Sequence, residues 1–216
     1  MPCAAASPAT PTLTCGAALA SLAPAQVKGL QFNPFSPALL ASGAADGELC
    51  IWDLASPAAP SLYPALKGGS TATGGAGEVT FLAWNCKVQH ILASTSAGGT
   101  TVVWDLKRQR PVISFTDPNG ARRCSALAWN PDVATQLITA SDDDRSTTLQ
   151  VWDLRNSISP AQEFSGHSKG VLAMSWCAAD TSLLLTCGKD NRTLCWDAPA
   201  GQVVAELPAS SNWCVR

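Results

Sequence analysis

The sequence predicts an all-β fold: a partial β-propeller of about four four-stranded blades, not a closed ring. Three observations predict it. Trp-Asp dipeptides recur at Trp52-Asp53, Trp104-Asp105, Trp152-Asp153 and Trp196-Asp197, 52, 48 and 44 residues apart. Each has an aromatic partner upstream, Phe32, Trp84, Trp129 or Trp176, at separations of 20, 20, 23 and 20 residues, so one pattern places seven of the eight tryptophans. Between the members of each pair, short apolar runs alternate with turn residues, which is the punctuation of strands. Four strands repeating at about 40–45 residues make a propeller blade, because a lone four-stranded sheet buries neither face while stacked sheets bury both.

Each unit has the same parts in the same order. A first strand ends in the aromatic, as in Phe81-Leu82-Ala83-Trp84. A turn follows, marked by Asn33-Pro34, Asn85 or Asn130-Pro131. The second strand is Leu39-Leu40-Ala41-Ser42, Ile91-Leu92-Ala93-Ser94, Leu137-Ile138-Thr139-Ala140 or Leu183-Leu184-Leu185-Thr186. A tight turn holds Asp46, Gly98, Asp144 or Asp190, and a third strand ends in Trp-Asp, its large indole expected to fill the gap between neighbouring sheets. A fourth strand is expected after each Trp-Asp, as in Pro111–Phe115 and Gln202–Leu207.

The units resemble WD40 repeats, and the last is the most complete. Gly166-His167 precedes its first strand, with Thr186, Asp190 and Trp196 at regular offsets. The WD40 resemblance implies that His167, Thr186, Asp190 and Trp196 form a buried hydrogen-bond network that rigidifies the blade. A Thr/His/Asp triad for catalysis uses the same residue types, but the repeat already gives each a structural position. Units one to three lack the Gly-His, so their networks are expected to be degraded. Unit three carries three extra residues in its Asp142-Asp143-Asp144-Arg145-Ser146-Thr147 turn. That acidic loop reads as a solvated turn, with a cation or a basic peptide as its alternative ligand.

The remainder of the chain narrows the function. Charged residues make up 14%, against roughly 25% in an average soluble domain. No apolar run is long enough for a transmembrane helix, so no direct membrane insertion is expected. Net charge is −2, and the tightest basic clusters are Lys107-Arg108-Gln109-Arg110 and Arg122-Arg123; both read as solvated surface, and no nucleic-acid partner is expected. Nine cysteines without a Cys-x-x-Cys pair, and only His90 and His167 as histidines, predict no metal site and a reduced, cytosolic chain. Cys50, Cys187 and Cys195 lie in apolar runs as small hydrophobes. Phosphate-loop, nucleophile-elbow and His-Glu-x-x-His motifs are missing, so the expectation is no enzyme, no catalytic residue, no cofactor and no small-molecule substrate.

Residues 1–27 carry no charge and contain Pro2, Pro8, Pro11 and Pro24, so they read as a low-complexity, flexible leader. Residues 28–216 are the repeat region, with a long connector at 55–78 that includes the Gly68–Gly75 stretch. At the other end, Trp213-Cys214-Val215 reads as the beginning of a fifth blade, so the chain is expected to be a piece of a larger ring. An arc open at both ends is expected to expose apolar faces and to self-associate.

Four stretches go beyond the general repeat: Leu30-Gln31-Phe32-Asn33-Pro34-Phe35; Ala83-Trp84-Asn85 with Val88–Ser94; Trp129-Asn130-Pro131-Asp132-Val133-Ala134-Thr135-Gln136; and Leu183–Asp190 with Leu194-Cys195-Trp196. Over roughly residues 29–214 they resemble the N-terminal propeller of the larger outer-cage subunit of the COPII vesicle coat. His90 lies in one of them and by itself reads as an exposed turn residue. The resemblance implies a non-catalytic scaffold that contacts other COPII coat subunits. Its implied place is cytoplasmic, peripheral at endoplasmic reticulum exit sites and COPII vesicles, in transport to the Golgi. The alternative is a substrate receptor of a cullin-linked ubiquitin ligase, whose cue is the Trp-Asp-x-Arg sequence Trp152-Asp153-Leu154-Arg155.

Overall fold

In a computed structural model of the protein, residues 26–56, 61–62, 66, 77–117, 122–177 and 179–208 are described. The leader up to residue 25, the Gly68–Gly75 stretch and Trp213-Cys214-Val215 lie outside them.

The described chain is all-β, in four four-stranded antiparallel sheets. Blade 1 holds β1 (Val27–Phe32), β2 (Leu39–Ala44), β3 (Leu49–Asp53) and β4 (Ser61–Leu62). Blade 2 holds β5 (Val79–Trp84), β6 (Ile91–Ser96), β7 (Thr100–Asp105) and β8 (Arg110–Thr116). Blade 3 holds β9 (Cys124–Trp129), β10 (Gln136–Ser141), β11 (Leu149–Asp153) and β12 (Gln162–Phe164). Blade 4 holds β13 (Val171–Trp176), β14 (Leu183–Gly188), β15 (Thr193–Asp197) and β16 (Gln202–Leu207). Among the described residues no helix is long and apolar enough to cross a membrane.

One register repeats in every blade. The third-strand tryptophan stands opposite a second-strand leucine: Trp52 with Leu40, Trp104 with Leu92, Trp152 with Leu137, Trp196 with Leu184. Period-2 alternation makes this pairing unforgiving, since a slip of one residue would turn the indole to the other face. Blade 3 keeps the register despite its longer aromatic spacing, because the extra residues loop out between β10 and β11. The first hairpin of each blade also carries an irregularity, after Val27, Val79, Cys124 and Val171. Such bulges bend the strand and increase its twist.

The inner strands contact each other in the order β1, β5, β9, β13, with no comparable contact between β13 and β1 among the described residues, so the blades form an open arc. Three apolar clusters fill the arc. One joins blades 1 and 2 around Ile51, Trp84 and Trp104; one joins blades 2 and 3 around Trp129 and Trp152; one joins blades 3 and 4 around Phe164 and Trp196. Third-strand Trp104, Trp152 and Trp196 are buried, while Trp52 is half-buried. The ends stay apolar: Leu30 is 64% and Phe32 56% exposed, because no described blade precedes blade 1. At the far end Val204 is 61% exposed on β16.

Candidate functional site

The sequence singles out blade 4, and there the structure brings His167, Thr186, Asp190 and Trp196 together. The Trp196 indole N–H donates to the Thr186 hydroxyl at 2.7 Å. Thr186 Oγ1 lies 2.8 Å from His167 Nε2, and His167 Nδ1 lies 3.1 Å from both Asp190 carboxylate oxygens. A neutral His167 protonated on Nδ1 satisfies every group: indole to hydroxyl, hydroxyl to Nε2, Nδ1–H to carboxylate. Thr186 is fully buried and the Asp190 side chain is 4% exposed. Gly166 is required by close approach, since a Cβ there would sit 2.7 Å from Trp196 Cη2.

Asp190 is also the cap of its turn, accepting the backbone N–H groups of Ser168 and Arg192. Burial by itself would raise its carboxyl, but the Ser168 N–H, His167 and the Arg192 N–H outweigh that and hold it below the ordinary carboxylate range. The sign follows: the stability Asp190 confers is present above its unfolded value and is lost as pH falls through the lower folded value. Asp190→Ala is expected to cost roughly 1–3 kcal/mol at neutral pH, because it strands buried donors. The difference from wild type should shrink below about pH 4. Urea unfolding at pH 7 and pH 3.5 checks both; an equal cost at the two pH values would contradict the carboxylate's role.

In blades 1 to 3 one arm of the network survives. Trp52, Trp104 and Trp152 donate their indole N–H groups to Ser42, Ser94 and Thr139 at 2.8, 2.9 and 3.1 Å. These hydroxyls occupy the register position of Thr186, opposite the residue two before the tryptophan. What these blades lack is the His-Asp arm. Blade 3 has a different buried polar cluster: Gln150 Nε2 donates to Asp117 and Glu163, and Arg122 pairs with Asp117 at 2.5 Å.

The turns after the first strands stitch the blades together. Asn33, Asn85 and Asn130 each accept two backbone N–H groups of their own turn. The Asn33 and Asn85 amides then donate to carbonyls of the next blade, at Gln89 and Ala134. In the other direction, Trp84 and Trp129 donate their indole N–H groups to the carbonyls of Gln31 and Ala83. The buried indole N–H of Trp176 has no hydrogen-bond partner among the described residues.

The acidic loop is likewise more than a solvated turn. Asp144 accepts the Gly170 N–H at 3.0 Å, Lys189 Nζ reaches the Asp142 carbonyl, and Arg123 lies 3.9 Å from the Asp142 carboxylate. The loop's charge is met by the chain's own bases, and it clamps blade 3 to blade 4. Among the described residues no group of three or more His, Cys, Asp or Glu side chains is placed to hold a metal ion. The six described cysteines carry thiols and are not joined in disulfides. Burial pushes the Cys124 thiol up to about 11, where it stays protonated and inert at neutral pH.

Two further positions differ from or add to the sequence reading. His90 is half-buried and lines a cavity between blades 1 and 2, so it is not simply an exposed turn residue. Arg155, the cue for a ligase receptor, folds back onto Asp153 through both its Nε and Nη2.

The WD domain, G-beta repeat family matches residues 16–53 and 158–197. Protein transport protein SEC31 homolog B of Arabidopsis thaliana is 58% identical over 187 residues, 87% of this chain and 17% of that protein. Protein transport protein SEC31 of Mycosarcoma maydis is 46% identical over 207 residues, 87% of this chain and 14% of that protein. The chain therefore spans less than one fifth of these relatives. A chain in the solved structure of COPII on membranes, outer coat vertex, superposes with a TM-score of 0.76 at 35% identity, covering 88% of this chain and 51% of that one. The protein is accordingly a WD40-repeat chain in a partial propeller, similar over most of its length to the Sec31 protein transport proteins.

Proposed function

We propose that the chain is a non-catalytic protein-interaction scaffold of the COPII outer coat. Its partners are other coat subunits, and its place is the cytoplasmic surface of endoplasmic reticulum exit sites and COPII vesicles. The single observation that carries this reading is the likeness to Sec31 proteins, at 58% identity over 187 residues, or 87% of this chain, for the Arabidopsis thaliana relative. The blade 4 residues His167, Thr186, Asp190 and Trp196 serve that role structurally, by holding one blade rigid for its neighbours. A scaffold needs large, fixed surfaces rather than a reactive group, and stacked blades supply them.

The test is recovery of the tagged chain from cells, with quantification of co-purifying proteins. Coat subunits are expected in stoichiometric amounts. Recovery of a cullin-ligase adaptor in their place would overturn the proposal in favour of the substrate-receptor alternative. A hydrolytic activity that copurifies with the chain and is lost on Thr186→Val would overturn its non-catalytic part.

A further inference from the structure

The basic turn of blade 2 has no role in the blade network, yet it borders a cavity. Between blades 1 and 2 lies a recess of about 240 Å³. Its walls are the side chains of Leu39, Ile51, Leu66 and Leu106. Its rim is polar and cationic, with Gln89, His90, Lys107 and Gln109, all from the turns of blade 2. Lys107, Arg108 and Arg110 are all exposed. Arg108 is met by Asp105 at 3.5 Å, but no carboxylate of the described residues pairs with Lys107 or Arg110.

The other grooves do not repeat this combination. Between blades 2 and 3, Ile113 and Leu154 pack onto the apolar cluster, with Ile113 opposite Val103, the register equivalent of Ile51. Between blades 3 and 4 a cavity of about 390 Å³ exists, but its rim carries Asp132 with Asn130, Gln136 and Gln162, and no cation. Among the described residues, the first groove thus joins an apolar recess to unpaired positive charge.

We propose that this recess is a docking site for an acidic segment of a partner polypeptide, with one aliphatic or aromatic side chain seated between blades 1 and 2. The recess is smaller than the roughly 300–1,000 Å³ of small-molecule pockets, which suits a single anchoring side chain. Lys107 and Arg110 meet the flanking carboxylates and favour an acidic partner over a basic one. The apolar walls favour a peptide over a nucleic acid, whose phosphates would gain nothing from Leu39 or Ile51. The site does not depend on membership of a coat, because it follows from the recess and its charges alone.

The test uses the full 216-residue chain and a fluorescein-labelled peptide, Gly-Asp-Glu-Glu-Leu-Asp-Glu-Gly, read by fluorescence anisotropy at low salt. Saturable binding is expected, weakening as salt is raised. The double variant Lys107→Glu/Arg110→Glu should bind at least about tenfold more weakly. Both side chains are exposed, so its thermal unfolding should match wild type. The same peptide with serine in place of leucine should also bind about tenfold more weakly, having lost its anchor. Absence of binding, equal binding of the leucine and serine peptides, indifference to the charge reversal, or comparable binding of an oligonucleotide of equal charge would each overturn the proposal.

Discussion

Replacing Gly170 by alanine is expected to destabilise the chain by roughly 3 kcal/mol or more, at the upper end of the cost of overpacking. Gly170 immediately precedes β13, where the acidic loop of blade 3 lies against blade 4. A Cβ there would sit 2.2 Å from the Asp142 carbonyl oxygen, 2.4 Å from its carbon and 2.8 Å from its Cα. All three are backbone atoms and cannot rotate aside. Relief requires the loop to retreat, which would pull Asp144 from the Gly170 N–H and Lys189 from the Asp142 carbonyl. Gly98→Ala is the control. Its Cβ would meet only Ser96 Oγ at 3.8 Å, so the change should stay within about 1 kcal/mol of wild type, in either direction. Urea unfolding followed by tryptophan fluorescence measures both. If the two replacements cost the same, the contact between the acidic loop and blade 4 is not as close as described.

Thr186→Val should rank next, at roughly 2–5 kcal/mol, because it is nearly isosteric yet removes a hydroxyl that serves two buried groups. The Trp196 N–H would lose its acceptor and His167 Nε2 its partner. Thr186 is fully buried, so water cannot take over. Thr186→Ser keeps the hydroxyl and deletes a methyl, at about 1 kcal/mol. The order Val worse than Ser separates the network from packing volume. The reverse order in thermal denaturation would mean that the blade is held by its apolar contacts and that the hydrogen bonds are incidental.

Most of the fold was legible because the signals are large and periodic. A tryptophan at the end of each third strand, and a leucine run in each second strand, leave one register in which both face the neighbouring sheet. The His167-Thr186-Asp190-Trp196 network was legible for a different reason: the WD40 resemblance implies it, and blade 4 alone carries all four residue types at the repeat's positions. The sequence places Ser42, Ser94 and Thr139 in second strands without marking them as acceptors. A small hydroxyl in an apolar run gives little contrast, although the constant ten-residue offset to Trp52 and Trp104 was a usable cue. The Asp117-Arg122-Gln150 cluster could not be read, because its members lie on different elements and have no counterpart in the other blades. The acidic loop was visible as an insertion. Its role as a clamp depends on Gly170 and Lys189, which lie in the next blade and have no sequence signal connecting them to it.

The three joints of the arc are built differently, and that sets how a perturbation spreads. Joints one and two are fastened close to the inner strands, by Trp84 and Trp129 reaching back and by Asn33 and Asn85 reaching forward. At the third joint Trp176 makes no such bond among the described residues; there Thr181 donates to Asp132 between the turns, and the loop around Asp142 and Asp144 adds a second fastening, with Ser125 donating to the Val171 carbonyl beside it. Stability in a stacked array is close to a sum of repeat terms and nearest-neighbour terms. Damage at one joint is therefore felt mainly by the two blades that share it. Changes at joints one and three should combine additively, whereas Gly170 and Asp144 belong to a single thermodynamic unit and should not.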